Sequence, residues 1–141
     1  MFASDLGRAV ETVKIAFGGS GIAIHLDARL RECNYGQWNG MRVTQLAAER
    51  RRRICLPFPG GESYRDVVDR VAGFLEDLAQ DWDRRRMVVV GHSATRWALD
   101  HLLAAGGLGR RAVPVARRLA LRASRRLAAD LWGELRSPDA W

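Results

Sequence analysis

The sequence predicts an α/β domain, and three observations predict it. Met87 to Val90 is a short apolar run rich in β-branched residues that stops at Gly91. A strand buried on both faces of a parallel sheet reads this way. Val67, Val68, Val71, Phe74, Leu75, Leu78, Ala79 and Trp82 recur at three- and four-residue spacing, so Ser63 to Trp82 is expected to be the longest helix, with one face in the core. From Ala94 to Leu103 the pattern returns to helical period, with Trp97, Ala98, His101 and Leu102 on one stripe. His92 and Ser93 therefore sit where a buried strand ends and a helix begins. Open α/β sheets bind ligands at the carboxyl ends of strands, and a helix N-terminus offers free N–H groups to an anion.

The other elements follow in order. Phe2-Ala3 reads as the end of a strand. Ser4 or Asp5 then caps a helix whose apolar stripe is Ala9, Val10, Val13, Ala16 and Phe17, and which Gly18, Gly19 and Gly21 terminate. Arg8 lies in its first turn, within reach of a ligand at that terminus; taken alone it is an ordinary exposed helix arginine. Ile22 to Leu26 reads as a strand. Gly36 and Gly40 punctuate the loop that follows, with Tyr35 and Trp38 between charged and polar neighbours. Glu32 stands on the approach to that loop, where the bland alternative is a surface ion pair with Arg29 or Arg31. Val43 to Arg53 reads as a short helix with a basic end, and Leu56 to Gly61 as a Pro/Gly loop. Ser63, with Asp66 three residues on, has the form of a capping box.

The chain has 141 residues and is 48% hydrophobic with five Trp, which suits one globular domain with a single modest core. There is no apolar run long enough to span a bilayer and no signal-peptide pattern at the start, so no membrane partner is expected. Cys33 and Cys55 have neither metal-site nor disulfide-framework spacing, and reduced thiols point to the cytoplasm. The net charge of +7 is unevenly placed: residues 1–106 carry 15 basic and 13 acidic side chains, and residues 107–141 carry 8 arginines and 3 acids. With Lys14 as the only lysine against 22 arginines, an arginine-rich coding bias explains the excess at least as well as a nucleic-acid partner, which is disfavoured. Val115 to Leu131 can form an amphipathic helix with arginines on one side, more often a solvated helix than a docking surface.

Two chemistries compete at Gly91-His92-Ser93-Ala94-Thr95. The segment nearly matches the nucleophile elbow of serine acyl hydrolases, Gly-x-Ser-x-Gly, with Ser93 as nucleophile. Thr95 occupies the last glycine position, and the only histidine after Ser93 is His101 on the same short helix, so that reading is disfavoured. The other makes His92 itself the functional group, touching a phosphate; the bland alternative is a core histidine at a strand end.

Taken together, four motifs in order resemble the histidine phosphatase superfamily, the phosphoglycerate mutase-like fold. Ser4-Asp5-Leu6-Gly7-Arg8-Ala9-Val10-Glu11-Thr12 resembles that family's Ser-x-Leu-x-Arg-Ala-x-x-Thr segment. Leu30 to Gly40 is similar to its Leu-x-Glu-x-x-x-Gly-x-x-x-Gly loop, Gly61-Glu62-Ser63 to its Gly-Glu-Ser helix start, and Gly91-His92-Ser93 to the strand end that carries its second histidine. The resemblance covers roughly residues 2–105. It implies a three-layer sheet flanked by helices, and phosphatase or mutase chemistry on a small phosphorylated metabolite through a phosphohistidine. Arg8, His92 and the Ser93 N–H would hold the phosphoryl oxygens, and Glu32, with His92 the catalytic pair, would protonate the leaving oxygen. No metal or other cofactor is implied. Positioning and positive charge around the equatorial oxygens are what phosphoryl transfer needs.

The family's nucleophile lies in an Arg-His-Gly triplet at the end of a first strand, and no such triplet occurs in these 141 residues. His25 is in Ile-His-Leu and His101 in Asp-His-Leu. The expectation is therefore an incomplete fold over residues 1–105, its first strand and helix missing, with unpaired strand edges and impaired catalysis. A divergent Arg-rich tail, expected to be helical, follows over residues 106–141. A non-catalytic phosphate-binding remnant, or an interaction module using the tail, is the alternative.

Overall fold

The computed structural model describes residues 1–82 and 86–104; the Arg-rich tail, with its expected helix and the domain boundary before it, lies outside them. Strand β1 (Phe2–Ala3) leads into helix α1 (Gly7–Phe17) and strand β2 (His25–Leu26). Two 3-10 turns, Ala28–Leu30 and Gly36–Trp38, precede α2 (Val43–Glu49), α3 (Tyr64–Asp81), β3 (Val89–Val90) and α4 (Ser93–Ala104). The three strands form one parallel sheet in the order β2-β1-β3, with Phe2 opposite His25 and Val89, and Ala3 opposite Leu26 and Val90.

Three layers result. Alternation along β1 sends Phe2 to one face and Met1 and Ala3 to the other, as the period of two requires. Phe2 and Val89 pack with Leu30, Phe74, Leu75 and Leu78 under α3 and α4. Met1, Ala3 and Val13 pack with Phe17 and Val90 under α1. A second cluster on the α3 side joins Cys33, Leu46, Phe58, Tyr64, Val67, Val71, Ala94 and Ala98. Phe58 is its hub: its ring meets Tyr35, Trp38 and Tyr64 edge-on at 5.0, 5.6 and 5.9 Å between centroids, the geometry aromatic quadrupoles prefer.

The α3 start is as the sequence reads. Asp66 N–H donates to Ser63 Oγ and Ser63 N–H to Asp66 Oδ2, which completes the capping box. Three expectations are corrected. Of the expected inner strand Met87 to Val90 only Val89–Val90 pairs among the described residues, with β1 alone, and Val88 is 45% exposed. An apolar run reports burial propensity, not the number of strand partners. Ile22 to Leu26 contributes only His25–Leu26 to the sheet, on the opposite edge, and Leu26 is 53% exposed. The 43–53 helix ends at Glu49, after which the chain turns so that Arg53 can lay its guanidinium over Trp38 and donate to the Pro57 carbonyl. No helix among the described residues is long and apolar enough to cross a membrane. Cys33 and Cys55 form no disulfide, and burial first, then the nearby Glu62 and Glu32 charges, push the Cys33 thiol up to about 12.

Candidate active site

The carboxyl ends of β1 and β3 and the amino ends of α1 and α4 meet at one corner. Ser4 follows β1, Arg8 is the second residue of α1, and Gly91-His92 links β3 to α4. The link is tight because a side chain at Gly91 would stand 3.0 Å from Thr95 Cγ2. Ser4 N–H donates to the Val90 carbonyl and continues the β1–β3 ladder one residue past the strands. That pairing brings Arg8 and His92, 84 residues apart, into contact: Arg8 Nε–H donates to His92 Nδ1 at 3.2 Å.

This bond fixes the imidazole tautomer. With Nδ1 accepting, the proton of the neutral ring sits on Nε2, which donates to Ser4 Oγ at 3.0 Å. Ser4 Oγ also accepts from the Leu6 N–H. Burial, then the Arg8 charge beside it, hold His92 below the ordinary imidazole range, with Glu32 opposing. The ring is thus neutral near pH 7, and an arriving anion that draws Arg8 away would leave Nδ1 free to take a proton.

Glu32 reaches the same corner from the loop. Its Oε1 accepts from the Cys33 and Ala94 N–H groups at 2.9 and 3.0 Å, and its Oε2 from the Ser93 N–H at 3.2 Å. Arg29 and Arg31 are engaged elsewhere: Arg29 pairs with Asp27 and Asp77, and Arg31 pairs with Asp5 at 2.6 Å. The arginine beside it holds the Asp5 carboxyl below the usual carboxylate range. The helix N-terminus that the sequence offers to an anion thus holds one, the Glu32 carboxylate. Arg8, Glu32, His92, Ser93, Arg96 and Asp100 line a cavity of about 630 Å³ whose other wall is the apolar Val89, Leu99 and Leu103.

Arg8, Glu32 and His92 therefore come together. Ser93 joins them through its backbone, with its N–H on Glu32 rather than free for a phosphate oxygen. His25 is elsewhere, its ring stacked on Phe2 and edge-on to Trp82. Two residues of the corner depart from the sequence expectation. Ser4 does not cap α1, whose N-cap is Leu6 with no side-chain bond; it is fully buried under His92. Its place at the head of the Ser-x-Leu-x-Arg segment is the signal that marks it. Thr95, a misfit in the hydrolase elbow, is buried and donates to the Leu30 and Arg31 carbonyls at 2.8 and 3.0 Å. It ties the Glu32 loop to α4, and no glycine could do so.

This corner lies at the carboxyl ends of parallel strands, where open α/β sheets bind their ligands. A model of the histidine phosphatase superfamily (branch 1) matches residues 1–123, and the chain belongs to that family. It is 37% identical over 104 residues to phosphoglycerate mutase-like protein AT74 of Arabidopsis thaliana, a match covering 64% of this chain and 31% of that protein. It is 34% identical over 115 residues to glucosyl-3-phosphoglycerate phosphatase of Mycolicibacterium vanbaalenii, covering 71% and 51%. The solved mycobacterial glucosyl-3-phosphoglycerate phosphatase in complex with inorganic phosphate is similar at a TM-score of 0.60 and 27% identity, over 83% of this chain and 62% of that one. The chain spans about half the length, or less, of these two curated relatives.

Proposed function

We propose that this chain is the phosphate-holding part of a cytoplasmic phosphatase- or mutase-type protein that transfers the phosphoryl group of a small phosphomonoester. One observation carries the reading: Arg8 and His92 meet at 3.2 Å, at the end of β3 and inside the cavity that also holds Glu32. In the proposed reaction a histidine nitrogen attacks phosphorus, the bond to the leaving oxygen breaks, and Glu32, protonated on Oε2 while Oε1 keeps the Cys33 and Ala94 N–H groups, gives that oxygen its proton. Arg8 and His92 hold the equatorial oxygens throughout, where positive charge and fixed donors lower the barrier most. The relatives named above are a mutase-like protein and a phosphatase, which supports the class and leaves the ester open.

On this reading none of the three histidines attacks: His92 has both nitrogens engaged by Arg8 and Ser4, His25 is packed on Phe2 and Trp82, and His101 is two turns along α4. The 141-residue chain should bind inorganic phosphate and barely hydrolyse p-nitrophenyl phosphate. Calorimetry should show Arg8→Ala and His92→Ala each weakening phosphate binding by about 10- to 100-fold, the worth of a hydrogen bond to a charged group at about 1.5–3 kcal/mol. Extension upstream with an Arg-His-Gly strand and helix should restore turnover and acid-labile phosphate uptake. Ordinary turnover by the chain as it stands, abolished by His92→Ala, would make His92 the nucleophile and overturn the assignment.

A further inference from the structure

Outside the corner itself, one charged side chain is engaged far beyond what a helix arginine needs. Arg70 lies on α3, in the middle of an otherwise amphipathic helix, with its side chain 17% exposed. Its guanidinium makes five contacts. Nη1 donates to the Arg29 carbonyl at 2.5 Å; Nη2 donates to the Arg31 and Glu32 carbonyls at 3.0 and 3.1 Å. Nε donates to Glu62 Oε1 at 2.9 Å, and Nη2 also meets Glu62 Oε2 at 3.3 Å. Glu62 in turn accepts from the Asn34 N–H at 2.8 Å through Oε2. Residues 29–34 are thereby held on one side by a single arginine–glutamate unit, and on the other by Thr95 Oγ1 on α4.

Glu32 is the one member of that stretch whose side chain leaves it for the cavity. Its carboxylate spans the loop and the first turn of α4, so its position depends on how rigidly its own backbone is set. We propose that Arg70, seated by Glu62, is the positioning residue of the site: it fixes the 29–34 backbone so that the Glu32 carboxylate stays on the Ser93 and Ala94 N–H groups, aimed at the phosphoryl corner. The inference rests on the function proposed above for Glu32, but its geometry does not. A lysine cannot replace the arginine, because the planar fork reaches three carbonyls and a carboxylate at once, whereas an ammonium is a point charge on a flexible stem. Glu62 acquires a role as well. The glutamate of the Gly-Glu-Ser segment seats the arginine eight residues on, and its neighbour Ser63 starts the helix that carries it.

The test reads the Glu32 contacts directly. In 1H–15N spectra of the 141-residue chain, Glu32→Gln should shift the Ser93 and Ala94 amides together, and the size of that paired shift is the Glu32 share. Arg70→Met should lose most of that share, and Arg70→Lys should regain little of it, while α3 amide signals stay dispersed. Glu62→Gln, a milder change, should lose part and serves if Arg70→Met does not fold. A full Glu32 response in folded Arg70→Met or in Glu62→Gln, or full recovery in Arg70→Lys, would overturn the clamp. Failure of the functional reading looks different: phosphate binding indifferent to Arg8→Ala and His92→Ala, with the amide response intact.

Discussion

The Glu32 loop and the sheet beneath it are held in opposite ways. Among the described residues the sheet has regular backbone pairing but little else at its margins: three strands of two residues each, with Leu26 exposed on one side and Val88 near the other. The stretch from Arg29 to Trp38 has no strand or α-helix, only its two short 3-10 turns, yet it is tied by Arg70, Glu62 and Thr95 and packed through Tyr35 and Trp38 against Phe58. Regular secondary structure is therefore a poor guide to where this molecule is most heavily hydrogen-bonded by side chains. Two of the site residues, Ser4 and His92, sit one or two residues beyond strand ends, and Glu32 hangs from the loop. The β1–β3 ladder brings Ser4 to His92, whereas Arg70 on α3 and Thr95 on α4 hold the stretch that carries Glu32.

The sharpest way to break this contrast is to remove one large side chain from each side. Phe58 is 1% exposed and contacts three other rings. Phe58→Ala should cost about 3–5 kcal/mol, transfer and cavity terms together. Leu26→Ala, on the open β2 edge, should cost under about 0.5 kcal/mol, as surface changes do. Urea denaturation of both variants checks this. Equal losses would mean that the sheet edge and the aromatic hub support the fold alike.

A smaller effect separates close backbone approach from backbone conformation. A side chain at Gly61 would stand 2.1 Å from the Asn34 carbonyl oxygen, whereas one at Gly60, where φ is +69°, would meet nothing within 4 Å. Gly61→Ala must push the Glu32 loop off the 59–62 segment and should cost about 2–3 kcal/mol, the upper range for overpacking. Gly60→Ala meets only the penalty of the left-handed conformation, about 1–2 kcal/mol. The Gly61 change should also weaken the Glu32 contacts to Ser93 and Ala94, and the Gly60 change should not. Amide exchange at those two positions distinguishes them.

Much of this is legible in the sequence, for reasons of range. The capping box at Ser63 and Asp66 and the stripe of α3 are local, set by neighbours three and four residues away, and read correctly. The meeting of Arg8 with His92 is not local at all; only the ordered motifs of a family resemblance point to it. Ser4 shows how the two scales conflict. A serine before a helix satisfies the local capping rule, but pairing with Val90 turns it inward and gives its hydroxyl to His92. Arg70 leaves no signal, since an arginine among Asp69 and Val71 on an amphipathic helix reads as solvated surface. The run Met87 to Val90 reads as a four-residue strand, yet only Val89–Val90 pairs among the described residues, because hydrophobicity speaks of faces and says nothing of strand partners.

The least of the expected effects concerns pH and the corner alone. In the folded chain His92 titrates below the ordinary imidazole value of 6.5, so it binds its proton less readily than in the unfolded chain. Between the folded and unfolded values the unfolded chain carries more protons, and stability must rise with pH through that window and fall as pH drops through the folded value. His101, lowered by burial, contributes in the same sense. His92→Gln should therefore flatten part of the stability–pH slope just below pH 6.5 and leave the His101 part in place. Inorganic phosphate should act on the same slope. A bound anion favours the protonated ring, so saturating phosphate should raise the His92 value, shrink the difference from the unfolded chain and flatten the slope as the mutation does. In His92→Gln, phosphate should have no such effect. Thermal denaturation of both proteins from pH 5 to 8, with and without phosphate, measures all four cases. A phosphate-dependent slope that survives in His92→Gln would place the anion away from His92 and separate the half-buried histidine from the phosphate site.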